Sequence, residues 1–148
     1  MTVAVVIDCC NQYQVMKEAN LRHIDYEKYL VHVAEVYGDI DEAYAFVDSY
    51  GPHAAKFRTK LDCLGFITVA KEPEQINGHW VTNWSGAIGS LLHSLKHDTI
   101  VLSSNSNELR DVCREIRSRI VVFTNSPPKS YTGMKIKCKP MLTELLIQ

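Results

Sequence analysis

The stretch Val3-Ala4-Val5-Val6-Ile7-Asp8-Cys9-Cys10-Asn11 decides the fold class. Its first five residues are apolar and mostly β-branched, without alternation of polar and apolar positions. A strand of this kind must be covered on both faces, as the strands of a parallel sheet are. Asp8 ends the run with a carboxyl group, and Asn11 adds an amide three residues later. In open parallel sheets function gathers beyond the carboxyl ends of the strands, where the strand order reverses, so Asp8 and Asn11 are the first candidate site residues. An aspartate at a strand end also serves as a simple turn cap, and that structural reading stands beside the functional one.

Outward from this strand, apolar residues recur with a helical period at Tyr26, Leu30, Val33 and Tyr37. Asp25 is placed as N-cap, Ile24 before it as a staple residue, and Gly38 as the stop. Residues 43–47 read as a second strand, and Gly51-Pro52 opens a helix carrying Ala54, Phe57, Leu61 and Leu64, closed by Gly65. A third strand follows at 66–70, then a polar loop over 71–79 and a helix over about 81–95 that Gly86 and Gly89 weaken. The fourth strand, 99–102, runs into the polar turn Ser103-Ser104-Asn105-Ser106-Asn107. The next helix has the apolar stripe Leu109, Val112, Cys113 and Ile116, which puts Arg110, Arg114 and Arg117 together on its solvated face. A fifth strand is expected at 120–123, a small edge strand at 135–138 and a short terminal helix from Met141. Strands alternating with helices imply an α/β fold, a three-layer α/β/α sandwich with a mainly parallel five- or six-stranded sheet and right-handed crossovers. The informative loops are then 8–11 and 103–107.

A chain of 148 residues suits one domain, 1–148, with 126–148 as a basic C-terminal extension of it. With 46% hydrophobic and 22% charged residues the composition excludes a disordered chain. No apolar run approaches the ~18 residues that cross a bilayer, and no basic leader precedes the first strand, so a cytoplasmic location is expected. Five cysteines without zinc-type spacing fit a reducing compartment. His93 and His97 are spaced four apart but lack an evident third ligand, and read as a helix-end pair. The net charge of −1 hides an asymmetry: residues 110–139 hold eight basic side chains against two acidic ones, whereas 25–48 hold seven acidic against one basic. One part of the sequence is suited to meet an anion that another part repels.

At positions 6–11, Val-Ile-Asp-Cys-Cys-Asn, the chain resembles the NYN domains, PIN-like nucleases of the LabA-like type. In that family an IDGxN-like motif supplies a metal-binding aspartate and a nearby asparagine, a VDVxxxxD motif lies on a mid-chain helix, and SGDGDF ends the fourth strand. Asp8 and Asn11 match the first motif, with Cys9 in place of its glycine. The second motif falls on residues 83–89, so its two acids become Asn83 and Gly89. The third falls on 103–108, where Asn105 and Asn107 stand for aspartates and Glu108 is adjacent.

This resemblance implies a vestigial catalytic set of Asp8, Asn11, Asn83, Asn105, Asn107 and Glu108. Mg²⁺ and Mn²⁺ want anionic oxygens, so at most a weakly bound ion at Asp8 is expected. Exchanging aspartate for asparagine also removes a charge that repels phosphate. The expected partner is RNA or single-stranded nucleic acid, held by Arg110, Arg114, Arg117, Lys129, Lys135 and Lys137, with Tyr13, Trp80 and Trp84 as stacking rings. The structural alternative for the arginines is a solvated face, and for the tryptophans a place in the core. Two alternatives stay open: a working endoribonuclease using Asp8, Glu108 and a substrate phosphate around Mg²⁺ or Mn²⁺, and a scaffold that mediates protein interaction or oligomers.

Overall fold

In the computed structural model, which describes residues 2–49, 53–71, 74–124, 137–139 and 145–146, the opening run forms β1 (Val3–Asp8) at the centre of a six-stranded sheet. At 80–81 and 137–139 only the backbone is described. The chain continues through α1 (Cys9–Glu18), α2 (Tyr26–Tyr37), β2 (Ile40–Asp48), α3 (Ala54–Cys63) and β3 (Ile67–Lys71). A hairpin of β4 (Glu74–Ile76) and β5 (His79–Val81) precedes α4 (Ser85–Ser94) and β6 (Thr99–Ser103). A 3-10 turn at Asn107–Leu109 leads into α5 (Arg110–Glu115), β7 (Arg119–Phe123) and β8 (Lys137–Lys139).

The sheet order is β3-β2-β1-β6-β7-β8, and every neighbouring pair is parallel. The chain builds outward from β1 to β3, then returns to the other side of β1 with β6. The strand order therefore reverses between β1 and β6, and the two carboxyl ends meeting there are Asp8 and Ser103.

Successive side chains of a strand point to opposite faces, so β1 serves two cores at once. Val3, Val5 and Ile7 pack with Ala43, Ala45 and Val101 against Tyr26, Tyr29 and Val33 of α2 and Leu61 of α3. Ala4 and Val6 pack with Phe46, Ile100 and Leu102 against Trp84, Ile88 and Leu92. All five β1 side chains from Val3 to Ile7 are 0% exposed, which is why the run carries no polar residue. The result is a three-layer α/β/α sandwich around a parallel sheet. Leu145 and Leu146 add to the first core, where the Asp25 N–H donates to the Leu145 carbonyl at 2.7 Å. Among the described residues no helix is long and apolar enough to cross a membrane.

The expected α2 is found with its punctuation: the Asp25 carboxylate accepts from the Lys28 N–H at 3.2 Å, and Gly38 ends the helix at φ +114°. Other elements differ. Residues 9–11 are the first turn of α1 rather than a loop, and the buried side of that helix is Cys9, Gln12, Val15 and Met16. A glutamine and a cysteine on the inner stripe hide its apolar period. The polar stretch 71–79 contains the hairpin instead of a loop, turned by Asn77 (φ +52°) and Gly78 (φ +80°), the pair that a two-residue turn between twisted strands requires. The helix expected from about Val81 starts at Ser85, because Val81 belongs to β5. The small edge strand is β8, while the terminal helix from Met141 and the opening Gly51-Pro52 lie outside the described residues.

Replacing Ile7 by alanine should remove about 2–5 kcal/mol of stability, since the site is closed on both sides and cannot collapse freely. Urea unfolding should show a lower midpoint with an unchanged slope.

Candidate functional site at the carboxyl ends of the strands

Asp8 is both the last residue of β1 and the N-cap of α1, where its Oδ1 accepts from the Asn11 N–H at 3.0 Å. The residue is only 6% exposed. Burial raises its pKa to about 6, a rise that the backbone N–H groups of Asn11 and Cys10 partly oppose. Desolvation is thus the leading influence on this acid.

The Asn11 side chain reaches across the strand reversal. Its Nδ2 donates to Asn105 Oδ1, while the Asn105 N–H donates back to Asn11 Oδ1 at 2.9 Å. Gln12, wholly buried behind this pair, donates from Nε2 to the same Asn11 oxygen at 3.0 Å, and its own Oε1 has no hydrogen-bond partner. The segment after β6 is fixed by further hydroxyl contacts. Ser103 Oγ and Tyr29 OH are 2.6 Å apart, Ser104 Oγ accepts from the Ser106 N–H, and Ser106 Oγ lies 2.7 Å from Ser85 Oγ at the start of α4. Asn83 Oδ1 accepts from the Ser85 N–H at 2.9 Å, which orders the entry to that helix.

Asp8, Asn11 and Asn105 are thus brought together, with Asn83 at the same end of the sheet. Asn107 and Glu108 are exposed on the 3-10 turn beyond. Gly89 is not at this end: a Cβ there would stand 3.4 Å from Val112, so the position is a close contact between α4 and α5. The stacking role expected of Trp84 is corrected, because its ring is 3% exposed and tilts against Phe46 at 5.2 Å, leaving no face for a base. Trp80 lies in β5, and nothing of its side chain is described. Tyr13 stands on α1 with its ring half in water.

The expected arginine row also needs correcting. The chain leaves the helix at Ile116 (ψ 151°), so α5 is six residues long and Arg117 falls beyond it. Arg117 lies before β7, at the amino end of the sheet, where it lines a cleft with Lys96, His97 and Glu115. Arg110 is half-buried and its Nε is enclosed without a partner, whereas Arg114 is exposed. The three cations therefore spread from one end of the sheet to the other. Lys129 and Lys135 lie outside the described residues, and Lys137 belongs to the edge strand β8.

Two residues on the same rim were missed, Asp48 and Lys71, which end β2 and β3 as Asp8 ends β1. The strand-end rule applied to those two strands would have found both. Thr82 Oγ1 donates to Asp48 at 3.5 Å, and Lys71 Nζ donates to the Asn83 carbonyl at 2.8 Å while lying 4.7 Å from the centre of the Trp84 ring. Beside them, burial pushes the Cys10 thiol up to about 11, so it is not a nucleophile at neutral pH. Among the described residues no three His, Cys, Asp or Glu side chains are grouped so as to hold a metal ion.

The raised pKa of Asp8 makes a stability prediction. Below about pH 3 the carboxyl is largely neutral in folded and unfolded chains alike and costs almost nothing. As pH climbs through the window from 3.8 to about 6 the unfolded chain ionises first, so folded stability is lost, and above about 6 the full penalty stands. Asn also caps helices, so Asp8→Asn should leave stability near pH 3 almost unchanged and raise it by about 2–3 kcal/mol at pH 7–8, as measured by urea unfolding at the two pH values.

The fold is similar to that in the crystal structure of a protein of unknown function, VPA0982, from Vibrio parahaemolyticus RIMD 2210633. The TM-score is 0.82 at 17% identity, over 99% of this chain and 96% of that one. No curated protein matches the chain. The NYN domain model matches residues 2–139, from before β1 to the end of β8. With a family match over nearly its whole length and the strand reversal set between Asp8 and Asn105, the chain belongs to the NYN family of nuclease-type domains.

Proposed function

We propose that this NYN domain binds single-stranded nucleic acid, RNA foremost, across the carboxyl ends of its strands and does not cleave it with a metal ion. The observation that carries this reading is the reciprocal contact of Asn11 and Asn105. The carbonyl oxygens that would have to face a cation each receive an N–H instead. A dication at Asp8, with Asp48 the other acid at these strand ends and no group of three acidic, histidine or cysteine ligands among the described residues, lacks the anionic donors that fix it against water. The residues at the strand reversal therefore do not fit Mg²⁺ or Mn²⁺ as a resident ion. The same neutral amides do not repel a phosphodiester, and Lys71 on the rim with the exposed Arg114 supplies positive charge.

The test incubates a labelled single-stranded RNA with the protein in Mn²⁺ and in EDTA, and follows retention and cleavage together. Equal retention in both and an intact strand are expected. Two phosphate contacts, one each for Lys71 and Arg114, at a slope of about −0.7 each should weaken binding by about sevenfold between 50 and 200 mM salt. Cutting that needs Mn²⁺ and disappears in Asp8→Asn would instead establish a working endoribonuclease. A protein that retains no RNA at any salt would favour a protein-interaction or oligomerisation scaffold.

A further inference from the structure

We infer that the Tyr13–His23 ring pair is a stacking subsite for one unpaired base, with Lys17 and Arg22 holding the phosphates beside it; this rests on the reading of the domain as a single-strand binder. The pair is built by the way α1 ends. The Asn20 N–H donates to the Lys17 carbonyl at 3.1 Å, the Leu21 N–H donates to the Met16 carbonyl at 2.9 Å, and Asn20 takes φ +55°. These are the two bonds and the left-handed residue of a Schellman turn, which reverses the chain at a helix end. The residues that follow are turned back toward α1, and the His23 ring lies on the Tyr13 ring with centroids 5.2 Å apart and planes 11° from parallel.

Burial does not account for this pair. Tyr13 keeps 53% of its surface in water, and His23 is exposed as well. A tyrosine already held flat by a neighbour can accept a further ring with little loss of side-chain freedom. Lys17 follows Tyr13 by four residues, so it lies on the same side of α1, and Arg22 adjoins His23; both are exposed. The nearby Glu18 carboxylate accepts from Gln14 Nε2 at 3.0 Å. A ring face flanked by a lysine and an arginine matches a nucleotide, which offers a flat base and an anionic phosphate together. Asn11 and Tyr13 share α1, so a strand reaching the site at the carboxyl ends has only about one helix diameter, on the order of 10 Å, to cross.

The test measures anisotropy of a labelled single strand of about 12 nucleotides and of an abasic strand of the same length. Tyr13→Ala should weaken the RNA at least about fivefold while Tyr13→Phe binds as wild type, in keeping with alanine substitution at base-stacking rings. The abasic strand should bind wild type and Tyr13→Ala equally. The double variant Lys17→Gln, Arg22→Gln should weaken both strands. Tyr13 is exposed on a helix, where alanine is favourable, so an unchanged thermal midpoint is expected. If Tyr13→Ala bound RNA as tightly as wild type, or lost equally on the abasic strand, the subsite would be overturned while the reading of the domain stood. Failure of the wild type to retain any RNA would overturn both.

Discussion

One strand bears the constraint on which the rest depends. β1 is closed on both faces, with Val3, Val5 and Ile7 in one core and Ala4 and Val6 in the other, so nothing polar is tolerated before Asp8. The backbone must also be paired on both edges, by β2 and β6. That double pairing forces the strand order to reverse beside β1, and the reversal opens the place where α1 starts. Asp8 is therefore a structural cap and a candidate site residue for the same reason: it is where the strand gives way to the helix.

Most polar groups at this end are tied to one another, Gln12 Oε1 being an exception. The Asn11 and Asn105 side chains and backbone tie α1 to the segment after β6, and the Ser103, Ser106 and Ser85 hydroxyls carry the connection to α2 and α4. Such a network holds its members rigidly but leaves few free oxygens for an ion. The remaining acid, Asp8, is held in a low-dielectric setting that disfavours its charge. The strand reversal thus offers one buried acid among amides and hydroxyls.

Much of this could be read from residue order alone. β1 and α2 were legible because burial on both faces leaves a wholly apolar run, and because Asp25 and Gly38 mark both ends of the helix with groups that act locally. Asp8, Asn11 and Asn105 were legible because strand ends are predictable from the strands. α1 was not, since its inner side contains Gln12, whose burial depends on a partner from the same turn and on α1 lying against the sheet. The arginine row failed for a related reason: the apolar period runs on to Ile116, yet the helix stops at Glu115, and no cap residue announces it. The Tyr13–His23 pair depends on the path of a loop, which periodicity does not describe.

The central pairing has a consequence for how the chain is made. Val3 lies beside Ile40 on one edge but beside Thr99 on the other. On the ribosome the first half of the sheet can assemble long before β6 has been translated. Until then the most apolar strand presents an unpaired edge to other nascent chains, an invitation to intermolecular pairing. Closing so large a loop is slow, and refolding from denaturant should inherit the same bottleneck.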